Sequence, residues 1–480
     1  MEKSEEIIKD LVHDYIELDE ESKKIIDTPE FQRLRRIRSL TSLYLFPSGN
    51  HSRFEHSLGT MKLSLEFFKG IKESFQEERV KVGDTRELEY YKDNFKIAAL
   101  LHDLGVGPLS SIGNSFYNKE EIGNYLKIKC DELLLEYNKI FGSDLGSEQE
   151  RMSCYFILSK MAKIIRNNRN IDLEFILRMI IGNKYPKTEE DKTYWCRNIF
   201  IELLNNKTFD LKKLDSLIRD NFMSGTPAPI IDLKKLINSI YVRNHKICFM
   251  PEGISALQSL IECRDGLYAQ VYNHYIPLYT NYITEEIIRY LKGEINWQDY
   301  FSCEAVTTLL ISDGDIEALL NDKYRKMINK EDIRDYIKNI FPQLYSRKFL
   351  KPVWKTVYEY NNFLENEIED DYLIEKLKEE LLGDNKRNIR EKIVNELREK
   401  LDLRPGELFI IASSNKFENN LIKGNITIAI DGKEKSLWNL LPQRDYRKNG
   451  NIDFYIFGPE DKKNEIKKSF IKIIREYFSV

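Results

Sequence analysis

A short apolar stretch that ends in a histidine–aspartate pair is the feature of this sequence that most restricts its fold. Residues 95–104 read FKIAALLHDL and are apolar on most sides, which predicts a buried helix. A turn rich in glycine and proline at 105–108 ends this helix. Because a buried aspartate is costly unless it is paired or bound to a metal, Asp103 beside His102 predicts a charged partner at the helix end.

The chain divides into a long helical part and a shorter part in which strand-like and helical patterns are mixed. Apolar residues recur at three- and four-residue spacing through much of residues 1–300, which predicts amphipathic helices. Further on, three β-like runs and a last amphipathic helix lie at 407–412, 425–430, 452–457 and 462–478. We therefore predict a mostly α fold, with a helical core in 1–300, a helical extension in 301–400 and a small α+β C-terminal domain in 401–480.

Composition excludes several classes of protein. The 480 residues carry 74 basic and 78 acidic side chains, and this net charge of -4 does not suit a general nucleic-acid-binding protein. The six cysteines form no CxxC pair, so they indicate reduced thiols and not a zinc knuckle or a disulfide framework. The N-terminus is charged and no apolar run is long enough to span a bilayer, so we expect a cytoplasmic protein with no membrane partner.

The residue types around the histidine–aspartate pair are those of a metal site. Imidazole and carboxylate groups suit Zn, Mn, Fe, Ni or Mg ions, and His56 from another helix would complete three of the usual four protein contacts. Such an ion acts as a Lewis acid and activates water. Arg53, three residues before His56, would hold phosphate oxygens through its guanidinium fork. The alternative is a core His102–Asp103 pair that is satisfied without a metal.

Several motifs together resemble a known enzyme family. They stand, in order, at 31–37 (FQRLRRI), 46–47 (FP), 50–59 (NHSRFEHSLG), 101–105 (LHDLG), 209–220 (FDLKKLDSLIRD) and 263–274 (CRDGLYAQVYNH). In this combination they resemble the deoxynucleoside triphosphate triphosphohydrolase branch of the HD superfamily, which includes bacterial HD phosphohydrolases. The resemblance runs from about residue 10 to 295, and the C-terminal third is similar only in outline.

The resemblance implies an HD-type helical core and cleavage of a dNTP to a deoxynucleoside and triphosphate. It implies one divalent metal ion, of unknown identity, on His56, His102 and Asp103, with His102, Asp103 and Glu150 acting in catalysis. Contacts with the nucleotide are implied for Arg53, Lys213, Asp220, Arg264 and Tyr272. The same resemblance leads us to expect a homo-oligomer, either a dimer or a tetramer.

The sequence departs from the family pattern at the fourth metal ligand. The family has an aspartate there, and this chain has Lys212, whose protonated ammonium cannot coordinate a metal and could take the place of the cation. Asp210 and Asp215, two and three residues away, are possible substitutes. Three family histidines near the site are also replaced, by Val106, Ser111 and Gln149. Loss of a general acid typically costs about 10²–10⁴-fold in rate.

Three hypotheses for function follow. The first is a metal-dependent nucleotide phosphohydrolase that acts on a deoxynucleotide or another nucleotide. The second is a catalytically impaired nucleotide-binding regulator, or a defence or signalling subunit, on the same fold. The third is an HD phosphodiesterase. The roles of two further histidines have more than one interpretation. His51 either touches phosphate or fixes its loop. His13 is either a turn residue or part of a subunit contact or regulatory nucleotide region.

Overall fold

The computed structural model describes residues 6–41, 44–142, 145–166, 168–188, 191–291, 296, 298–328, 335–383, 386–413, 426–441 and 452–478. The described residues are 64% helical and their strands form small sheets. The predicted class, mostly α with a small α+β portion, is therefore confirmed. All six cysteines are buried and free, as expected for reduced thiols.

The helices are short except for a few that carry the core. Up to residue 267 the α-helices are α1 Glu20–Ile26, α2 Pro29–Gln32, α3 Arg53–Lys81, α4 Leu88–Leu101, α5 Ser111–Asn114, α6 Lys119–Glu132, α7 Tyr137–Phe141, α8 Glu148–Phe156, α9 Ala162–Ile165, α10 Leu173–Ile181, α11 Tyr194–Leu204, α12 Leu211–Ser224, α13 Leu233–Ser239 and α14 Ile254–Leu267. Beyond it they are α15 Tyr275–Leu291, α16 Gln298–Phe301, α17 Cys303–Thr307, α18 Asp313–Ile328, α19 Asp335–Tyr345, α20 Val357–Asn362, α21 Asp371–Leu381, α22 Arg387–Leu401 and α23 Lys463–Phe478. Short π-helical turns lie at Ile157–Met161, Tyr268–Tyr272 and Phe363–Ile368.

The described strands form a hairpin and two small sheets. They are β1 Glu6–Asp10, β2 Asp14–Leu18, β3 Ile240–Arg243, β4 Lys246–Phe249, β5 Lys351–Pro352, β6 Phe409–Ala412, β7 Thr427–Ile430, β8 Lys433–Ser436 and β9 Phe454–Gly458. Strands β1 and β2 pair with each other, a second sheet has the order β3-β4-β7-β8, and a third has the order β5-β9-β6. All pairs are antiparallel except β4 with β7, which is parallel.

Residue contacts group the chain into two compact units. The first contains the described residues within 1–267, 296–317 and 419–442, and the second contains those within 268–295, 318–418 and 443–480. The three β-like runs of the sequence are strands β6, β7 and β9, although residue 425 lies outside the described residues. Strand β7 belongs to the first unit, where Ile428 lies opposite Phe249 of β4. The domain boundaries at 300 and 400 stay a prediction.

Two helices of the first unit position the histidine–aspartate pair. Helix α3 begins after Ser52, whose backbone N–H donates to Glu55 in a capping box, so its first turn is fixed in place. Helix α4 buries Tyr91, Phe95 and the apolar residues up to its last turn, as its sequence predicts. Burial of side chains of this size stabilises the fold by about 1.5–3 kcal/mol each. Because α3 packs along α4, the start of one helix lies beside the end of the other.

Helix α12 supplies the third wall of this region. Asp210 caps its N-terminus by accepting from the backbone N–H of Lys213 at 2.8 Å, and Gly225 ends it in the left-handed region with φ +66°. The helix packs against α3, so the buried side chain of Asp215 faces the first turn of α3. Within the described part of the chain, no helix is long and apolar enough to cross a membrane.

Candidate metal centre

The structure brings His56, His102 and Asp103 into one buried cluster. Their nearest ligand atoms all lie within 4.8 Å of one another. The two histidine Nε2 atoms are 3.2 Å apart, and Asp103 carboxylate oxygens lie 3.5 Å from Nε2 of His102 and 3.8 Å from Nε2 of His56. Ligands bonded to one ion at about 2.1 Å are separated by roughly 3.0–3.4 Å. The cluster therefore has the dimensions of a site for one metal ion.

The hydrogen bonds of the two rings determine where their protons lie. Nδ1 of His102 is 2.8 Å from the carbonyl oxygen of Ala99, and Nδ1 of His56 is 2.7 Å from Oδ2 of Asp215. Both partners are acceptors, so each Nδ1 carries the proton and donates it. With each Nδ1 donating, two neutral rings would direct their Nε2 lone pairs at each other across 3.2 Å.

Two facing lone pairs repel each other unless a cation lies between them or beside them. Burial lowers the pKa of His102 to about 4. The charge of Asp103 raises this pKa but offsets only part of the effect of burial. His102 is therefore neutral at neutral pH and contributes one of the two lone pairs to this repulsion. A divalent ion bound by both Nε2 atoms and by Asp103 would relieve it, so the residues present fit a metal.

Asp103 is held as an oriented carboxylate. Gln149 donates from Nε2 to Oδ1 at 2.6 Å, and Arg53 donates from Nη1 to Oδ2 at 2.8 Å. Burial alone would raise the pKa of Asp103, but the charges of His102 and Arg53 outweigh it and hold this pKa below its usual range. The carboxylate is therefore ionised and directed at the cluster. Gln149, which replaces a family histidine, acts here as a hydrogen-bond donor to Asp103.

The loop after the histidine–aspartate pair fixes Arg53 from the other side. Nε of Arg53 donates to the hydroxyl of Ser110 at 2.9 Å. Leu109 and Ser110 have φ +59° and +55°, a region that non-glycine residues rarely adopt and that costs on the order of 1–3 kcal/mol each. Asp313 holds this loop by accepting from the N–H of Leu109 at 2.6 Å. The sequence did not point to Ser110, whose importance depends on this backbone turn.

Neither suggested substitute for the fourth ligand joins the cluster. Asp215 binds the far side of His56, and it also accepts from Nε2 of His13 at 2.6 Å and from Nε of Arg219 at 3.0 Å. Asp210 caps α12 with one oxygen and receives Nζ of Lys213 on the other at 2.7 Å. Both carboxylates are therefore engaged elsewhere, and Asp215 orients His56 from behind.

The N-terminal hairpin completes this buried network, which sequence reasoning missed. Asp10, the last residue of β1, accepts from the N–H of His13 and from Nη1 of Arg219, both at 2.8 Å. This places the side chain of His13, only 4% exposed, against Asp215. His13 is therefore a buried hydrogen-bond donor within the chain, and its predicted subunit or regulatory role stays a prediction. The signal available in the sequence was the i, i+4 spacing of Asp215 and Arg219 on one helix.

Lys212, which stands at the fourth ligand position in the sequence, is paired with Glu150. Its Nζ is 2.7 Å from Oε1 of Glu150, and Asn205 also donates to that oxygen at 2.8 Å. The second oxygen of Glu150 caps α8 by accepting from the N–H of Ser147 at 2.8 Å. Burial would raise the pKa of Glu150, but the charge of Lys212 lowers it overall, so Glu150 is an ionised partner of Lys212. Its predicted part in catalysis stays a prediction.

The remaining predicted nucleotide contacts lie around the first unit or in the second. Asp220 accepts from the buried ring of His51 at 2.8 Å, which matches the loop-fixing alternative for His51. Lys213 has a half-exposed side chain that donates to the carbonyl of Asn206.

Arg264 and Tyr272 complete this set. Arg264 lies 3.5 Å from Asp265 in an ion pair. Tyr272 belongs to the second unit, where its ring packs edge-on against Tyr268 with centroids 5.0 Å apart. A contact of these residues with substrate stays a prediction.

The chain is similar in sequence to several HD-type proteins. It is 28% identical over 274 residues to the deoxynucleoside triphosphate triphosphohydrolase SAMHD1 homolog of Dictyostelium discoideum, covering 57% of this chain and 46% of that protein. It is 27% identical to human deoxynucleoside triphosphate triphosphohydrolase SAMHD1, over 56% of this chain and 42% of that protein. The uncharacterized protein YwfO of Bacillus subtilis matches at 25% identity, over 68% of this chain and 71% of its own.

This chain spans about half the length of the SAMHD1 proteins that it matches. The resemblance to HD-type triphosphohydrolases noted from the motifs is confirmed by these relatives. No family model matches the chain.

Two crystal structures share the fold over nearly the whole chain. A hypothetical protein from Aquifex aeolicus superimposes with a TM-score of 0.63 at 18% identity, covering 97% of this chain and 99% of that one. A phosphohydrolase from Bacteroides thetaiotaomicron also gives a TM-score of 0.63, at 17% identity, covering 94% of this chain and 98% of that one. At these identities the likeness concerns the fold alone.

Proposed function

We propose that this chain, as a relative of HD-type triphosphohydrolases, is a metal-dependent phosphohydrolase that acts on nucleotides. The specific reaction that we propose is cleavage of a dNTP to a deoxynucleoside and triphosphate. The similarity to proteins named deoxynucleoside triphosphate triphosphohydrolase supports the substrate class. A homo-oligomeric state and a cytoplasmic location stay predictions.

One observation carries the proposal: the Nε2 atoms of His56 and His102 face each other at 3.2 Å beside an ionised Asp103. Both Nδ1 atoms are used in hydrogen bonds to Ala99 and Asp215, which leaves both Nε2 atoms on the side of Asp103 as candidate ligands. A divalent ion bound there would supply Lewis acidity and would lower the pKa of a water molecule.

The chain supplies positive charge for a polyphosphate beside this cluster. Arg53 directs its guanidinium at Asp103 and Ser110, and a phosphate oxygen that approaches Asp103 would meet the remaining N–H groups of this fork. Lys213 extends from the first turn of α12 with 52% of its side chain exposed, which leaves it able to reach a ligand. We therefore expect a polyphosphate to bind to Arg53 and Lys213 in the positions that these side chains already have.

A second candidate function is a nucleotide-binding regulator without turnover. The ion pair between Lys212 and Glu150 favours this function. The residue at the fourth ligand position and the predicted catalytic glutamate are both engaged in this pair. Gln149 favours it too, since an amide cannot donate a proton as a family histidine could.

A nucleotide panel tests the proposal. Purified protein is incubated with Mn²⁺ and each dNTP, each NTP and a linear dinucleotide, and products are separated by ion-exchange chromatography. We expect deoxynucleoside and triphosphate from at least one dNTP, and none from a His102→Ala, Asp103→Ala double variant. Stabilisation by a dNTP without turnover would favour the regulator. Cleavage of the dinucleotide alone would contradict the proposed substrate class and support a phosphodiesterase.

A further inference from the structure

The position of Lys212 on α12 is set by the same helix that orients His56. Lys212 and Asp215 are three residues apart, so they lie on one face of the helix. Asp215 bonds Nδ1 of His56, and Lys212 is one turn closer to the N-terminus on that face. Its partner Glu150 directly follows Gln149, which donates to Asp103, so the ion pair adjoins residues that bond the cluster on both sides.

Glu150 keeps this ammonium in place. The 2.7 Å ion pair is only partly exposed, at 16% for the Lys212 side chain and 19% for the Glu150 side chain. Glu150 is itself held by the cap of α8 and by Asn205, so it cannot follow the lysine away from the site. The positive charge is therefore a fixed part of the structure.

The two ion pairs made by Asp103 and Lys212 are each neutral without a metal. Asp103 and Glu150 are anionic, and Arg53 and Lys212 are cationic, with each pair in direct contact.

Behind His56, Asp10 and Asp215 share the single cation Arg219, so these groups together carry one net negative charge, which is less than the two positive charges that a divalent ion would add. An aspartate in place of Lys212 would change this balance by two units and would also add a ligand.

We propose that the ammonium of Lys212 is a built-in cation that weakens binding of the divalent ion until an anionic polyphosphate is present. Like charges in a partly buried site repel each other more strongly than they do in water. A triphosphate would offset the excess positive charge, so metal and nucleotide would strengthen each other's binding by the same factor. The polyphosphate ligand rests on the proposed function, whereas the effect of Lys212 on the metal alone does not.

Titration with Mn²⁺ alone, by isothermal titration calorimetry on the full chain, tests the first part. Lys212→Met removes the charge and keeps the length of the side chain, and we expect it to bind Mn²⁺ at least tenfold more tightly than the wild type. Glu150→Gln keeps the hydrogen bond that caps α8 but leaves the Lys212 ammonium without an opposite charge. We expect this variant to bind Mn²⁺ more weakly than the wild type. Lys69→Met is the matched control, because this exposed lysine of α3 pairs with Glu66 and not with Glu150, and its Mn²⁺ affinity should stay within threefold of the wild type.

Lys212→Asp provides a second variant should Lys212→Met fail to fold, and circular dichroism checks both. We expect Lys212→Asp to bind one Mn²⁺ per chain more tightly than the wild type. Wild-type-like affinity in both variants, or binding by neither, would overturn the inference. Tighter Mn²⁺ binding by the variants together with no nucleotide hydrolysis by the wild type would contradict the proposed function and leave this inference standing.

Discussion

Asp215 accepts a hydrogen bond from Nδ1 of His56 at 2.7 Å and thereby directs the opposite ring nitrogen at His102. The same carboxylate binds His13 and Arg219, and it is fully buried. Burial would raise its pKa, but the charge of Arg219 and the donors around it hold this pKa well below its usual range. A carboxylate behind a metal-binding histidine typically fixes the orientation of the ring.

Substitution Asp215→Asn tests this orienting role. The amide keeps the shape but removes the charge that opposes Arg219, so we expect the free energy of unfolding to fall by about 3–5 kcal/mol. We also expect the affinity for Mn²⁺ to fall by about 10–100-fold, because His56 loses its fixed acceptor. Urea denaturation and Mn²⁺ titration measure the two effects.

Asp14→Asn is the control for that variant. Asp14 makes an exposed ion pair with Lys9 in the hairpin turn, and its φ of +60° is one that asparagine tolerates. Surface pairs of this kind contribute at most about 1 kcal/mol. If both variants lose the same stability and neither changes Mn²⁺ affinity, the orienting role of Asp215 is refuted.

The pKa of His102 predicts a pH dependence of stability in metal-free protein. The ring titrates near 6.5 when unfolded and at about 4 when folded, because burial disfavours its charged form. Between these values the unfolded state binds more protons, so the stabilisation present above pH 6.5 is lost as pH falls towards 4. The loss is on the order of 3 kcal/mol, at about 1.4 kcal/mol per pKa unit.

His102→Asn removes this titration, and its stability curve should be flatter than that of the wild type between pH 6.5 and 4. Urea unfolding in the presence of a chelator, at steps of pH, gives both curves. Parallel curves for the two proteins would mean that His102 does not titrate as its burial requires.

Arg53→Gln should weaken binding of a triphosphate. The guanidinium is fixed by Ser110 and Asp103, and loss of a charged hydrogen bond typically costs about 1.5–3 kcal/mol, or roughly ten- to a hundredfold in Kd. Inorganic triphosphate in a fluorescence or calorimetric titration is a suitable probe. Arg35→Gln, a change at an exposed arginine that bonds Gln32, should leave the Kd unchanged. An equal increase in Kd for both substitutions would show that triphosphate binding depends only on the net charge of the chain.

The sequence predicted those parts of the site that depend on local pattern. The apolar run up to Leu101 predicted the buried helix α4, and the residue types around its end predicted the cluster of His56, His102 and Asp103. Lys212 was expected at the fourth ligand position from the family resemblance, and the structure pairs it with Glu150.

The parts that were missed depend on contacts between distant residues. His13 and Asp215 are 202 residues apart in the chain, and no local pattern relates them. Strand β7 is four residues long, and its place beside β4 depends on an apolar edge that lies far away in the sequence. Asp210 and Asp215 could be considered as ligands only because their real partners were not visible in the sequence.

The central claim is that His56, His102 and Asp103 hold one divalent ion. The most direct test is elemental analysis of the purified chain after equilibration with inorganic triphosphate and excess Mn²⁺, Fe²⁺ or Ni²⁺ and removal of free ions, beside the His102→Ala, Asp103→Ala double variant. We expect one ion per chain in the wild type with at least one of these metals and none in the double variant. No bound ion in the wild type under any of these conditions, or equal metal content in both proteins, would contradict the claim.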